Sequence, residues 1–202
     1  MIISSIDLKD GKVVQLKNGR DKVLERDNPL ELISDFNRYG EVAVIDLDAA
    51  LGNLGPKGTT ANTEILKSLL RRGNVRVGGG IREVKRAKEL ISLGAEKVIV
   101  GSAAFNAQPA DGSILNTAFL EELVAAIGRQ RIIISVDAIN GIIAVKGWTE
   151  TAGIPLIQGA QAAERYASEL LFTCVEREGC MTGTNMDLVR QLREAVSCRL
   201  VG

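Results

Sequence analysis

Histidine is missing from all 202 residues. Its absence excludes any Ser-His-Asp or Cys-His mechanism and leaves aspartate and glutamate as the main acid–base candidates. Cysteine is scarce too. Cys174, Cys180 and Cys198 are an odd number without CxxC spacing, so reduced thiols in a cytoplasmic protein are expected, not a disulfide framework. Cys174 and Cys180 read as packing residues rather than metal ligands, since no second pair accompanies them. Neither sign of charge prevails: Lys+Arg and Asp+Glu are both 25. No basic surplus points to nucleic acid or an anionic membrane, although local patches can still hold phosphate. No apolar run is long enough to span a bilayer, and Met1 leads straight into a predicted strand, not a signal peptide. Aromatics make up 3% of the chain, with a single tryptophan, Trp148.

What the chain does contain is a repeat. Ile2-Ile3-Ser4-Ser5-Ile6-Asp7-Leu8-Lys9-Asp10-Gly11 matches Ile132-Ile133-Ile134-Ser135-Val136-Asp137-Ala138-Ile139-Asn140-Gly141 in pattern. Ser5/Ser135, Asp7/Asp137 and Gly11/Gly141 are identical, and the apolar positions agree in kind. A strand, a carboxylate at its end, a turn and a second extended piece therefore recur, as in a fold made of two similar halves.

Short β-branched runs alternate with helical stretches. The runs are 2–7, 42–48, 75–77, 97–100, 132–137, 170–175 and 198–201. Between them, sets such as Ile65, Leu66, Leu69, Leu70 and Leu120, Leu123, Val124, Ile127 place apolar residues on one helix face. Strands apolar nearly throughout, in βαβα order, imply a parallel sheet covered by helices. Successive strands start roughly 33 residues apart, against about 31 per unit in a typical eight-stranded barrel. The expected fold is α/β: a (β/α)8 TIM barrel built from two half-barrels, forming one domain over residues 1–202. A flavodoxin-like open sheet is the rival, but it does not explain the repeat. Only seven strands are predicted, so the chain is expected to be cut short of its last strand and helices, and to be poorly soluble or oligomeric.

In such a barrel, chemistry sits at the strand C-termini. Asp7, Asp46, Asp48 and Asp137 fall there, and the repeat singles out Asp7 and Asp137 as the catalytic candidates. A lone aspartate at such a place is more often a cap. Val77-Gly78-Gly79-Gly80-Ile81-Arg82 and Val100-Gly101-Ser102-Ala103-Ala104 are two small-residue turns after neighbouring strands. Their bare N–H groups, with Arg82, can cradle a phosphate, although tight turns alone also demand glycine. Trp148, in the polar Gly147-Trp148-Thr149-Glu150 loop, suits a lid or a stacking residue over a flat heterocycle. Thr173-Cys174-Val175-Glu176-Arg177-Glu178-Gly179 adds a hydroxyl and two carboxylates. Ordinary solvated charge would explain Glu176 and Arg177 equally well.

In order, Ile6-Asp7-Leu8-Lys9-Asp10-Gly11-Lys12-Val13-Val14, Val44-Ile45-Asp46-Leu47-Asp48-Ala49, residues 77–82, Val145-Lys146-Gly147-Trp148-Thr149-Glu150 and Glu176-Arg177-Glu178-Gly179 resemble one family over residues 2–202. It is the ProFAR isomerases of histidine biosynthesis. The resemblance implies an Amadori rearrangement, aminoaldose to aminoketose, on a ribotide with a phosphate at each end, without metal or organic cofactor. By similarity, Asp7 would be the base that takes the C2 proton of the opened ribose. Asp137 would be the acid that assists ring opening. Trp148 would cover the imidazole and Thr173 would hold the ribose. Gly79, Gly80, Gly101 and Ser102 would bind one phosphate, with Asp46, Arg82, Glu178 and Gly179 also on the substrate. The second phosphate would use turns after strands seven and eight.

The departures from the family pattern are Glu178 for Asp, Gln15 for Arg, Ser4-Ser5 for Pro-Ala, Thr184 for Pro, and longer loops at 51–61 and 106–117. The related cyclase shares the design and both aspartates but usually lacks the Gly-Trp of 147–148. A cyclase, a dual-substrate isomerase that also takes phosphoribosylanthranilate, and a non-catalytic phosphosugar-binding arm of a fusion protein are the alternatives. The expected partner is a small bis-phosphorylated ribotide, with no nucleic acid and no membrane. Fusion to, or contact with, another histidine-pathway enzyme is left open.

Overall fold

A computed structural model describes residues 2–17, 19–106 and 112–202. In chain order the first half holds β1 (Ser4–Lys9), β2 (Lys12–Lys17), β3 (Asp21–Arg26), α1 (Pro29–Phe36), β4 (Val42–Asp46), α2 (Leu47–Leu51), α3 (Thr63–Leu70), β5 (Val75–Gly78), α4 (Val84–Ser92), β6 (Lys97–Val100) and α5 (Thr117–Ile127). The second half holds β7 (Ile132–Ser135), β8 (Ala138–Ile139), β9 (Ile142–Val145), β10 (Glu150–Pro155), α6 (Leu156–Ala163), β11 (Glu169–Leu171), α7 (Met186–Ala195) and β12 (Arg199–Val201). Residues 107–111, within the long 106–117 connection expected from the sequence, lie outside the described residues.

All seven predicted strands form, and each neighbouring pair is parallel. They belong to a nine-stranded sheet of order β12-β11-β7-β6-β5-β4-β1-β2-β3, whose last two members form an antiparallel hairpin with β1. A second, three-stranded sheet runs β10-β9-β8. The sheet curls. Arg76 on β5 meets Glu169 on β11 at 2.8 Å, although β6 and β7 lie between those strands in the sheet order.

The two faces divide the strand residues with the period of two that pleating requires. Ile6, Val42, Val44, Val75, Val77, Val98, Val100, Ile132, Ile134 and Leu170 face the apolar layer beneath the helices. The alternate positions Ser5, Asp7, Ala43, Ile45, Arg76, Gly78, Ile99, Ser135 and Leu171 face the concave side and line a cavity. The strands are therefore not apolar throughout: their inner members carry hydroxyls, carboxylates and one arginine.

That arginine belongs to an ionic floor inside the curl. Arg76 is 3% exposed and pairs with Glu41 and Glu169, while Lys97 and Arg199 also bond to Glu169. Glu169, Lys97 and Arg199 each open their strand, so the cluster ties the N-terminal ends of β5, β6, β11 and β12 together.

The repeat persists in the backbone. Asp7 faces Val14 across the first hairpin. In the second half, the Ala144 N–H donates to the Asp137 carbonyl at 2.8 Å, and the spacing of seven residues is the same. The turns match as well: Asp10 and Gly11 have φ of 52° and 78°, and Asn140 and Gly141 have 50° and 75°. Two consecutive left-handed residues are what a tight type I′ hairpin turn needs, and Asp-Gly and Asn-Gly supply them.

Candidate active site

The cavity has a volume of about 580 Å³, within the range of small-molecule sites. Asp7 reaches it from the C-terminal part of β1, and Asp137 from just beyond β7. The carboxylates that the repeat singles out therefore open into one space.

Their surroundings differ. Burial raises the Asp7 carboxyl to about 6, with a bond from Ser5 opposing and the charge of Glu178 reinforcing the rise. The Ser5 hydroxyl donates to Asp7 Oδ1 at 3.1 Å. Burial also raises Asp137, while Trp148, Ser135 and Thr173 pull it back. The Trp148 indole N–H donates to Asp137 Oδ2 at 2.8 Å, whereas buried Oδ1 has no partner among the described residues. An unpaired buried carboxylate oxygen is costly unless it carries a proton or meets a ligand. Burial and the charge on Asp137 raise Glu178 in turn. Glu178 thus couples electrostatically to both aspartates.

Trp148 sits on the loop between β9 and β10 with φ of 68°, neither core nor free surface. A Cβ on Gly19 would lie 2.6 Å from the indole ring. The ring thus crosses from the second half onto the β2–β3 turn of the first. Thr173 follows β11, lines the cavity, and accepts the Ala138 N–H through its carbonyl at 2.9 Å.

Gly79, Gly80, Arg82, Gly101 and Ser102 also line the cavity. The glycine identities have a packing cause. Gly79 has φ of 104° and a Cβ there would lie 2.1 Å from the Asp46 carbonyl oxygen; at Gly80 it would lie 2.6 Å from that of Ala49. Only glycine lets this turn lie against the start of α2. Arg82 donates to the Ala49 and Ala50 carbonyls at 3.2 and 2.8 Å, and so it holds the end of that short helix. The Ser102 hydroxyl accepts the Lys146 N–H at 2.7 Å.

Two expected site residues stand apart from the cavity wall. Asp46 is 2% exposed and its oxygens accept from the Ala49 N–H, the Asn62 amide and the Thr60 hydroxyl. It caps α2 and anchors the following loop. Gly179 packs on β2, where a Cβ would meet the Leu16 carbonyl oxygen at 2.4 Å. Asp48, placed by sequence at a strand end, lies in α2, where it accepts from the Asp10 N–H and Asn62.

Among the lining residues that sequence reasoning missed are Arg76, Ser5 and Arg177. Arg76 had a visible signal, a charge between two valines in a buried strand. Ser5 was visible as half of the Ser5/Ser135 match in the repeat. Arg177, which donates to the Thr184 carbonyl at 3.1 Å, had none that separates it from solvated charge. Among the described residues no group of three or more Cys, Asp or Glu side chains is placed to hold a metal ion, and no helix is long and apolar enough to cross a membrane.

A curled parallel sheet wrapped by helices, with paired carboxylates at the C-terminal ends of equivalent strands, defines a (β/α)-barrel built on an internal repeat. The chain belongs to the histidine biosynthesis protein family, whose model matches residues 1–201. It is 37% identical to a Methanocaldococcus jannaschii protein over 100% of this chain and 81% of the relative. It is 35% identical to one from Methanothermobacter thermautotrophicus (100% and 81%) and 31% identical to one from Bacillus cytotoxicus (99% and 80%). All three are named 1-(5-phosphoribosyl)-5-((5-phosphoribosylamino)methylideneamino) imidazole-4-carboxamide isomerase.

Proposed function

We propose that this protein is an isomerase of the kind its relatives are named for. It converts the bis-phosphorylated aminoaldose ProFAR into its aminoketose by an Amadori rearrangement. The observation that carries the reading is the convergence of Asp7 and Asp137 on one cavity, with an indole N–H on Asp137 alone.

The chemistry needs one carboxyl ionised and one protonated near neutral pH. Asp7, raised to about 6, is roughly nine-tenths ionised at pH 7 and serves as the base for the C2 proton. Burial disfavours the charged form of Asp137, which fits it to hold the proton for the ribose ring oxygen as the C1–O bond opens. Proton removal from C2 then gives the enolamine, and protonation at C1 with loss of the 2-hydroxyl proton gives the ketose, so the step is redox-neutral overall. Backbone N–H groups of Gly79, Gly80, Gly101 and Ser102 take one phosphate, Trp148 covers the imidazole, and Thr173 and Glu178 border the reacting ribose.

Asp7→Asn and Asp137→Asn are each expected to reduce turnover of ProFAR by ~10²–10⁴-fold with substrate binding retained. Turnover unchanged in either variant would overturn the assignment. Phosphoribosylanthranilate, and the cyclase substrate with ammonia, assayed in parallel, define the substrate range.

A further inference from the structure

The repeat carries a second identical residue that the acid–base scheme leaves unused, the serine two positions before each aspartate. Ser5 and Asp7 project from the same face of β1, as residues two apart on a strand must, and both line the cavity. Their side chains are bonded at 3.1 Å. In the second copy Ser135 and Thr173 also bear on the Asp137 carboxyl, and the Trp148 indole N–H donates to it at 2.8 Å. The Asp7 carboxylate has no such indole; the side chain bonded to it is Ser5.

We propose that Ser5 is a positioning residue, whose hydroxyl orients the carboxylate of Asp7, the base, and favours its ionised form. The inference rests on the isomerase reading for the word base. The contact itself does not depend on it. A hydroxyl that donates to a carboxylate stabilises the charged form, and burial around Asp7 works against that form. The other ionisable groups on the cavity wall are Arg76, Arg82, Asp137, Cys174, Arg177 and Glu178. Glu178 pushes Asp7 the same way as burial does. The strands beside β1 present Leu16 and Ile45 to the cavity, and α2 presents Leu47, Ala50 and Leu51. The acid on α2, Asp48, turns to Asn62 and the Asp10 N–H instead. Ser5 is therefore the side chain whose hydrogen bond to Asp7 opposes its protonation.

The test is a side-chain carboxyl ¹³C NMR titration of Asp7 and Asp137 in the ligand-free protein, with Ser5→Ala and Ser5→Thr, alongside the pH profile of kcat/KM. In Ser5→Ala the Asp7 midpoint is expected to rise from about 6 by about half a pH unit or more. The Asp137 midpoint stays put, and Ser5→Thr restores the parent value. The acid limb of kcat/KM moves with Asp7. A midpoint unmoved by Ser5→Ala, or a threonine variant that behaves like the alanine one, overturns the proposal. Should no variant turn over ProFAR while the Asp7 titration moves as described, the isomerase reading fails and the Ser5 contact stands.

Discussion

At the scale of single residues, the site works against stability. Asp7 has a folded pKa of about 6 against an ordinary 3.8. A carboxyl raised on folding leaves stability intact below its free pKa and withdraws it as pH rises through the folded value. Asp7→Asn is therefore expected to stabilise the protein at pH 7 by about 1–3 kcal/mol. The gain closes as pH falls from about 6 towards 4. Thermal or urea unfolding of both proteins across that range checks it. An advantage that persists at pH 4 would mean the gain comes from something other than proton linkage. The same substitution removes the proposed base, so stability and turnover are expected to move in opposite directions, a common trade-off in active sites.

At the scale of elements, the sequence was legible where burial is two-sided. Every core strand appeared as a β-branched run because its outer residues pack under helices. The hairpin partners were less legible. In β3, Asp21–Arg26, every residue is exposed, so no alternation marks it as a strand. Its pairing with β2 follows a short connection closed by the Arg20 N–H on the Lys17 carbonyl at 3.0 Å. The helix α2 was hidden in what read as the end of β4, because five residues carry no periodicity. Its start is fixed by tertiary bonds that no local pattern reveals. Asn62 is the hub of these bonds. It is fully buried, accepts the Gly11 N–H at 2.9 Å, and donates to the Leu8 carbonyl, Asp46 and Asp48. One amide thereby joins the β1–β2 turn, α2 and the start of α3. Asn62→Ala would leave two buried carboxylates short of a donor, and about 3 kcal/mol or more of destabilisation is expected. A lowered urea midpoint at unchanged slope is the signature. The site was legible as far as the repeat and the glycine turns showed it. The capping bond of Asp46 was not legible, because a strand-end carboxylate and a helix cap look alike until the following helix is seen.

At the scale of the whole molecule, the curl of the sheet is held from inside by charge as well as from outside by helix packing. Glu169, 1% exposed, pairs with Arg76, Lys97 and Arg199 at once. Removing one partner of a buried ion cluster leaves the others desolvated and unpaired. Glu169→Gln is expected to cost about 3–5 kcal/mol, and added salt would reduce that cost little because buried pairs are weakly screened. Urea unfolding at low and high ionic strength tests both statements. A cost near zero would mean the floor is hydrated and its charges independent.

Trp148 gives the molecule one more property. It is the chain's single indole, and its N–H rests on the carboxyl oxygen of Asp137. Light emitted by that ring therefore comes from one known place, beside the Asp137 carboxyl, and anything that enters beneath it or alters that carboxyl changes the colour or brightness of the glow without a label being attached.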